Sequence, residues 1–289
     1  MNETSSTPMP ADLKPLSGST LLMSGGSRGI GLAIAVEAAR LGANIAFIAK
    51  TGTPDPRLPG TVHTAAAEIE AAGGKVLPII GDIRDESAID SAVAATVERF
   101  GGIDIVVNNA SAINLGGFGE LTLKRYDLIQ SINARGTFAL ITSSLPHLLR
   151  SPRPRVVTLS PPLNPDPAWF GAHAAYTVSK YSMTMLTVGL AEQFRDAGMA
   201  ASCLWPATFI STAAVHNLLT SDGEDALSTS RTPQIMADAA GILLTAPAAD
   251  VNGKCFLDED ILRGAGSTDL SQYLNPGAAE DNLRPDLFV

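Results

Sequence analysis

Short apolar runs alternate with longer alanine-rich runs along most of the chain after residue 18. The short runs are hydrophobic almost throughout, which is typical of strands buried on both faces of a parallel sheet. Apolar positions in the longer runs recur with helical spacing. The pattern predicts an α/β fold, a single-domain doubly wound parallel sheet of about seven strands with helices on both faces. The predicted strands span residues 19–24, 44–49, 75–79, 103–107, 155–159, 200–204 and 254–257, and helices are predicted from residues 29, 61, 85, 122, 174 and 232.

Three segments depart from this alternation. Residues 1–15 are polar and contain prolines, so we expect a flexible N-terminal tail. Residues 206–231 form a long connection after a predicted strand, and connections of that length are usually substrate loops or lids. Residues 260–289 follow the last predicted strand as a C-terminal extension. We expect residues 16–289 to form one domain, because α/β chains of this size are often single units.

The charge of the chain limits its partners. The 289 residues carry a formal net charge of −9, which disfavours nucleic acid and anionic membrane surfaces and favours a small-molecule substrate. No apolar run is long enough to span a membrane, and the first residues lack a signal peptide, so we expect a cytoplasmic protein. Cys203 and Cys255 are expected to be reduced thiols. The four histidines show no metal-ligand spacing, so we predict no metal.

A glycine-rich segment at residues 24–31 follows the first predicted strand and opens the first predicted helix. Glycine permits a tight turn and close approach to a pyrophosphate, and the start of a helix offers free N–H groups to an anion. An ordinary tight turn is the alternative interpretation of such a segment. In this strand-turn-helix context, however, it predicts a dinucleotide site of the Rossmann type. The predicted cofactor contacts in the segment are Gly25, Ser27, Arg28, Gly29, Ile30 and Gly31.

The end of the second predicted strand indicates which nicotinamide cofactor binds. Enzymes selective for NAD usually place a carboxylate there, where it accepts hydrogen bonds from the adenine ribose. This chain has Lys50 at that point, and Arg28 lies in the glycine-rich turn. Two cations can flank the ribose 2′-phosphate that distinguishes NADP from NAD. We therefore predict NADP(H) in preference to NAD(H), with two solvated surface cations as the alternative.

Tyr176 and Lys180 are the candidate acid/base pair. Residues four apart lie on one helical face, so both side chains can point into one cleft. Hydride transfer between an alcohol carbon and nicotinamide requires a proton to move on or off the oxygen. A nearby ammonium and the positively charged oxidised nicotinamide favour phenolate, so we expect the pKa of Tyr176 to fall from about 10 towards neutrality. A tyrosine and a lysine on an exposed helix surface are the alternative.

Several motifs occur in the order found in the short-chain dehydrogenases. The glycines of residues 25–31 resemble the TGxxxGxG turn of that family, with Ser24 at the threonine position. Asp82, the Asn-Asn-Ala-Ser segment at residues 108–111 and Asn133 follow at family positions, ahead of the Tyr-x-x-x-Lys pair. On these motifs the chain resembles a short-chain dehydrogenase/reductase of the classical type, over roughly residues 17–260.

Three segments of the chain resemble one particular group within this family. Residues 160–164, 205–206 and 252–259 are similar to the hydroxysteroid dehydrogenase-like protein 2 group. Longer members of that group append a sterol-carrier domain, which we do not expect in this chain. The resemblance also implies a homodimer or homotetramer that assembles through the helix carrying Tyr176.

The resemblance implies further site residues. Asn133 matches an asparagine whose main chain holds a water that links the lysine to solvent, so it joins the catalytic set. Ser160 matches the first of two serines at a strand end, whereas Pro161 fills the position of the serine that polarises the substrate oxygen. Ser160 is therefore the candidate catalytic serine, with Asn164 as the alternative donor. The remaining cofactor contacts are Lys50, Asp82, Ile83, Asn109, Ala110, Tyr176, Lys180, Pro206, Thr208 and Ile210.

These features predict an NADP(H)-dependent oxidoreductase that interconverts a lipophilic secondary alcohol and a ketone or aldehyde. A regulatory module that binds NADP(H) with little turnover is one alternative, because Pro161 stands at the usual serine position. A reductase of an activated C=C bond is another. The candidate residues for an apolar substrate pocket are Leu115, Phe118, Leu163, Trp169, Phe170, Trp205 and Phe209.

Overall fold

The structure, a computed structural model, describes residues 14–55, 59–213 and 227–289. Two predictions fall partly outside these ranges: residues 1–13 of the predicted tail and residues 214–226 of the predicted substrate loop. The centre of the molecule is a seven-stranded parallel sheet, which confirms the predicted fold class. The strands are β1 (Thr20–Ser24), β2 (Asn44–Ala49), β3 (Val76–Ile80), β4 (Ile105–Asn108), β5 (Arg155–Leu159), β6 (Ala200–Trp205) and β7 (Cys255–Leu257).

The order of the strands creates a ligand crevice. Across the sheet the order is β3-β2-β1-β4-β5-β6-β7, and all neighbouring strands are parallel. The chain moves outward from β1 to β3 and then crosses to β4, on the other side of β1. The loops after β1 and β4 therefore diverge at the carboxyl edge of the sheet, where α/β proteins bind ligands. Ser24 and Asn108, which are register partners, end these two strands at the crevice.

Helices cover both faces of the sheet. In the described ranges they are α1 (Gly29–Arg40), α2 (Val62–Ala71), α3 (Glu86–Phe100), α4 (Leu123–Gln130), α5 (Gly136–Leu148), α6 (Pro167–Ala172), α7 (Ala174–Gln193), α8 (Gln234–Thr245), α9 (Ala248–Val251) and α10 (Asp258–Gly264). A π-helical turn, Ser131–Arg135, joins α4 to α5. None of these helices is long and apolar enough to cross a membrane.

The alternation of strand side chains divides the core into two layers. Leu21 and Met23 of β1 join a cluster with α1, α2 and α8, whereas Leu22 joins a cluster with α3, α5 and α7 on the opposite face. Strands whose side chains are buried on both faces must be apolar at successive positions, which is the pattern seen in the sequence. Cys203 and Cys255 lie opposite each other in β6 and β7 as free thiols, the first buried and the second partly buried.

The C-terminal extension folds back onto the domain. The Arg231 guanidinium is buried, and it lies 2.9 Å from the Glu259 carboxylate and 2.6 Å from that of Glu280. Arg231 also donates a hydrogen bond to the Leu270 carbonyl at 3.0 Å, so its guanidinium contacts the extension at two points. Farther along, Pro285 pairs with Thr208 in the loop after β6. The last residues of the extension are thereby brought to the carboxyl edge of the sheet.

Candidate active site

A cleft of about 1300 Å³ opens at the carboxyl edge of the sheet. It is lined by the loops after β1, β4 and β6, by α7 and by the end of the C-terminal extension. Every residue of the predicted cofactor set lines this cleft except Thr208. Thr208 pairs instead with Pro285, and its hydroxyl is buried away from the cleft. The structure thus brings residues from distant parts of the sequence into one site.

The glycine-rich turn forms a close backbone cradle at one end of the cleft. Gly25 and Gly29 have φ values of +76° and +55°, and residues other than glycine rarely adopt such positive values. A Cβ at Gly31 would lie 2.3 Å from the Gly25 carbonyl oxygen and 2.4 Å from Nδ2 of Asn109. Arg28, which precedes α1, makes no side-chain capping hydrogen bond to the start of the helix. A bare helix start in a cradle of glycines fits the pyrophosphate of a dinucleotide.

Hydrogen bonds between β1 and β4 fix the shape of this cradle. The Ser24 hydroxyl accepts hydrogen bonds from the backbone N–H groups of Asn109 and Ala110, at 3.2 and 3.1 Å. In return, Nδ2 of Asn109 donates to the Gly25 carbonyl at 2.8 Å. The asparagine therefore supports the turn directly, besides lining the cleft.

Two cations lie along the cleft beside β2. Arg28 donates a hydrogen bond to the Gly60 carbonyl at 2.6 Å, and the Lys50 ammonium is 3.9 Å from the Asp82 carboxylate. Arg84 binds that carboxylate more closely, at 2.6 Å, and its hydrogen bond holds the pKa of Asp82 below the usual value. Arg84 is therefore the main partner of the Asp82 carboxylate. The Lys50 side chain lies farther away and is 59% exposed. This end of the cleft therefore offers positive charge to a ligand.

Tyr176 and Lys180 meet near the start of α7, at the other end of the cleft. Both residues are 2% exposed, and both line the cleft. The Lys180 ammonium donates a hydrogen bond to the Leu159 carbonyl at 2.8 Å and lies 4.9 Å from the centre of the Trp205 ring. The carbonyl, at the end of β5, and the ring fix the position of the ammonium. The side chain of Ser111 lies within hydrogen-bonding reach of Tyr176.

Burial controls the protonation of this pair. It raises the pKa of Tyr176 above its usual value, the negative charge of Asp286 raises it further, and the hydrogen bond with Ser111 opposes both effects. Burial also lowers the pKa of Lys180 to about 7, against the attraction of Asp286. Desolvation by the protein therefore acts against the phenolate, in the direction opposite to the fall expected from the lysine and the oxidised nicotinamide. At neutral pH Tyr176 holds its proton.

Asn133 lies behind the cleft, in the π-helical turn between α4 and α5. Its Oδ1 accepts a hydrogen bond from the Ala112 N–H at 2.8 Å, and its Nδ2 donates to the Ala112 carbonyl at 3.1 Å. Nδ2 also donates to the Ser179 hydroxyl at 2.9 Å, which lies on α7 between the tyrosine and the lysine. Asn133 is fully buried and joins the loop after β4 to the helix of the acid/base pair.

Comparison with known proteins agrees with this geometry. Residues 19–222 match the short chain dehydrogenase family. The chain belongs to this family. Hydroxysteroid dehydrogenase-like protein 2 from Danio rerio is 50% identical over 275 residues, which cover 95% of this chain and 64% of the relative. The human protein of the same name is 45% identical over the same shares. A crystal structure of a short chain dehydrogenase from Mycobacterium thermoresistibile has a TM-score of 0.87 and 52% identity, covering 95% of this chain and 96% of that one.

These comparisons confirm the predicted resemblance to the hydroxysteroid dehydrogenase-like protein 2 group. The chain spans 64% of the length of the curated relatives from zebrafish and human. Membership of the short chain dehydrogenase family, a family of oxidoreductases, supports an oxidoreductase activity for this chain. Within the described ranges, no group of three or more His, Cys, Asp or Glu side chains is arranged to hold a metal ion.

This family member departs from the expected position of its catalytic serine. Ser160, at the end of β5, has no exposed surface, does not line the cleft, and faces the Cys203 thiol. Successive side chains along an extended chain point in opposite directions, and Pro161 occupies the next position. The alternative donor, Asn164, also lies outside the cleft, and its Nδ2 donates to the Phe288 carbonyl at 3.2 Å. The structure therefore brings neither candidate into the lining of the cleft.

The sequence pattern does not single out the residues of the C-terminal extension that reach the site. Asp286 and Leu287 line the cleft, and the Phe288 ring stacks on Tyr176 with a centroid distance of 6.1 Å. Trp205 Nε1 donates a hydrogen bond to the Leu287 carbonyl at 2.8 Å. Burial raises the pKa of Asp286 to about 7. No local signal marks these residues, because their partners are far away in the sequence.

The predicted substrate-pocket residues divide into two groups. Leu115, Trp205 and Phe209 line the cleft, whereas Phe118, Leu163, Trp169 and Phe170 do not. Trp169 packs instead on the Phe288 ring, at a centroid distance of 5.2 Å. Ile113 and Leu287 complete the apolar lining near Tyr176. The tyrosine end of the cleft thus has an apolar wall beside the charged side chains of Lys180 and Asp286.

Proposed function

We propose that this protein is an NADP(H)-dependent oxidoreductase that interconverts a lipophilic secondary alcohol with the corresponding ketone, or an alcohol with an aldehyde, and that Tyr176 is its acid/base. The observation that carries the proposal is that Tyr176 and Lys180 line the same cleft as the glycine cradle. A dinucleotide whose pyrophosphate lies in the cradle extends along the cleft towards this pair. The acid/base groups and the cofactor site therefore serve one reaction.

A protonated Tyr176 can serve carbonyl reduction. When bound, the nicotinamide supplies the hydride for reduction or accepts it for oxidation. Tyr176 is a neutral phenol at neutral pH, so it can donate its proton to the carbonyl oxygen as that oxygen becomes negative. Lys180, whose pKa is about 7, can be charged beside the phenol as the proton leaves and so stabilises the phenolate.

The preference for NADP(H) is supported by Arg28 and Lys50. Both line the cleft, and β2 ends without a carboxylate between them. We expect Lys50→Ala to weaken NADPH binding by about tenfold, or about 1.4 kcal/mol, and to leave NADH binding unchanged. Lys254→Ala removes the same charge from an exposed position outside the cleft and serves as the matched control. An equal loss of affinity for NADPH and NADH in Lys50→Ala would contradict the proposed preference for NADP(H).

The lipophilic substrate is supported by the lining near Tyr176. Ile113, Leu115, Trp205 and Leu287 line the cleft and belong to the apolar cluster that contains Tyr176. Apolar walls with a few polar groups are typical of sites that bind small hydrophobic ligands. A ketone or aldehyde with aliphatic or aromatic substituents fits such walls better than a charged one.

The test of the proposed function combines binding with turnover. NADPH and NADH are titrated calorimetrically, and a panel of ketones, aldehydes and secondary alcohols is then assayed by the near-ultraviolet absorbance of the reduced nicotinamide. We expect tighter binding of NADPH and turnover of apolar carbonyl compounds. Tight binding without turnover would identify a regulatory module instead. Reduction confined to activated C=C bonds, identified by product analysis, would show the other alternative chemistry.

We further propose that the chain forms a homodimer or homotetramer through α5 and α7. Phe138 of α5 and Val178 and Met185 of α7 are large apolar side chains that are at least half exposed. Exposed apolar residues on neighbouring helices mark an interface between subunits. Light scattering after size-exclusion chromatography measures the molar mass, and a monomer would contradict this assembly.

A further inference from the structure

Carbonyl reduction in this site has one proton donor, Tyr176, and lacks a second donor from β5. A second hydrogen bond to the carbonyl oxygen matters because negative charge develops there in the transition state. Ser160 cannot supply it, since its side chain is fully buried beside Cys203. A second donor must therefore come from another element that lines the cleft beside Tyr176.

Ser111 offers such a hydroxyl, in the loop after the strand that pairs with β5. It follows β4 in the loop that also carries Asn109 and Ala110, it lines the cleft, and it is exposed there. Its side chain lies within hydrogen-bonding reach of Tyr176, and this contact lowers the pKa of the tyrosine. A substrate oxygen that lies between the two hydroxyls would meet both the tyrosine proton and the serine hydroxyl.

The backbone on both sides of Ser111 is held in place. On one side the Ala110 N–H donates to the Ser24 hydroxyl at 3.1 Å. On the other side the side chain of Asn133 binds both the N–H and the carbonyl of Ala112, at 2.8 and 3.1 Å. Donors that are fixed in advance lower a reaction barrier without reorganising, so this double attachment suits a catalytic hydroxyl. It also gives the side chain of Asn133 a positioning role.

We propose that Ser111 is the catalytic residue that donates a hydrogen bond to the substrate oxygen beside Tyr176. The inference rests on the proposed function. The sequence pattern favours a serine at the end of β5 as this hydrogen-bond donor, whereas the inference assigns the role to the loop after β4. Ser111 exchanges no proton with the substrate: Tyr176 gives its proton to the oxygen, and the serine stabilises the negative charge until that transfer is complete. Asn133 acts through the loop and not on the substrate.

The kinetic test compares serine variants with the wild type. We expect Ser111→Ala to lower kcat/KM by about 100-fold, the usual effect of removing one such donor. Ser111→Thr keeps a hydroxyl and is expected to recover most of the activity. Ser160→Ala, which removes the buried hydroxyl, is expected to stay within about twofold of wild type because that group does not reach the cleft. NADPH affinity is expected to be unchanged in all three variants.

Two kinetic results would overturn the assignment. The first is full activity in Ser111→Ala, and the second is a large loss in Ser160→Ala that equals the loss in Tyr176→Phe. A parallel loss of NADPH affinity in Ser111→Ala would also overturn it, because the serine would then act on the cofactor. If the wild type turns over no substrate, the proposed function fails, and a second measurement tests the serine separately.

That measurement uses nuclear magnetic resonance of the protein labelled with 13C at the phenol carbon of tyrosine. The chain has four tyrosines, so Tyr176→Phe identifies the resonance of Tyr176. We expect this resonance to shift in Ser111→Ala, because the hydrogen bond to the phenol is lost, and to return towards its original position in Ser111→Thr. Ser160→Ala is expected to leave it unchanged. An unshifted Tyr176 resonance in Ser111→Ala would contradict the contact on which the proposal depends.

Discussion

The two ends of the cleft are built in different ways. The cradle end consists of the turn after β1 and the loop after β4, which are adjacent strands with register partners up to Ser24 and Asn108. The tyrosine end combines the start of α7, the loop after β6 and the C-terminal extension. Its contacts span long distances in sequence, such as the 82 residues between Trp205 and Leu287.

This difference separates the two tasks of the site. Sheet register fixes the cradle, so its shape depends on the most strongly hydrogen-bonded part of the fold. The tyrosine end depends on side-chain packing around Phe288, whose ring lies near those of Trp169, Tyr176, Tyr181 and Trp205. Substitutions at one end should therefore change cofactor binding, and substitutions at the other end should change substrate turnover and the anchoring of the extension.

The largest expected effect on stability comes from Phe288→Ala. Phe288 is 2% exposed, and removal of a buried phenylalanine ring typically costs about 3 kcal/mol or more. We expect the free energy of unfolding to fall by about 3 kcal/mol in urea denaturation, with a higher KM and an unchanged Kd for NADPH. Phe118→Ala, at a residue 85% exposed, is the control and is expected to be neutral. Wild-type stability and KM in Phe288→Ala would show that the extension is not part of the substrate end.

The opposite pattern is expected for Gly31→Ala. The added Cβ meets the Gly25 carbonyl and Asn109 at under 2.5 Å, so the cradle must open. Overpacking of this kind costs about 3 kcal/mol, and we expect calorimetry to show about 100-fold weaker NADPH binding. Gly189→Ala places a Cβ in open space on α7 and is expected to bind NADPH normally. Unchanged affinity in Gly31→Ala would mean that the pyrophosphate does not lie in the cradle.

A smaller, pH-dependent effect is expected from Asp258→Asn, beside the loop after β6. Burial raises the pKa of Asp258 to about 7, well above its value in an unfolded chain. A carboxyl with a raised pKa stabilises the fold at low pH, and this contribution is lost as the pH rises through 7. Asparagine does not ionise, so we expect the variant to lose about 2 kcal/mol less stability than wild type between pH 5 and pH 8.

Two neighbouring groups determine the pH dependence of stability that remains in Asp258→Asn. Asp286 also has its pKa raised to about 7, so it too destabilises the fold as the pH rises, and the variant keeps this part of the loss. Lys180, with its pKa lowered to about 7, has the opposite sign, because its contribution is lost as the pH decreases. Urea denaturation at several pH values measures the difference. Identical pH profiles for the two proteins would show that Asp258 is not buried as a carboxyl with a raised pKa.

Local patterns in the sequence were sufficient for the sheet and the cradle. The seven strands follow from their apolar runs, and β2 and β5 occupy the predicted residues, at Asn44–Ala49 and Arg155–Leu159. The glycine-rich turn requires backbone geometry that only glycine adopts easily, so its residue types identify it. Tyr176 and Lys180 are four apart on one helix, a spacing that places both side chains in the cleft.

The tyrosine end could not be predicted in the same way. Ser160 lies one residue before the position of the family's catalytic serine. On an extended chain, a shift of one residue reverses the direction of the side chain. Asp286 and Phe288 reach the site through tertiary contacts, for example the hydrogen bond from Asn164 to the Phe288 carbonyl, 124 residues apart. Ser111 lies inside a recognised motif, but its proximity to Tyr176 depends on the packing of α7 against the π-helical turn that carries Asn133.

The most direct test of the account is Tyr176→Phe, with NADPH affinity and carbonyl reduction measured on the same preparation. Removal of a positioned general acid typically costs about 100-fold to 10,000-fold in rate. We expect kcat to fall in this range while the Kd for NADPH stays within about threefold of wild type, because the ring that packs on Phe288 remains. Wild-type turnover in Tyr176→Phe would contradict the claim that the buried phenol is the proton donor of this site.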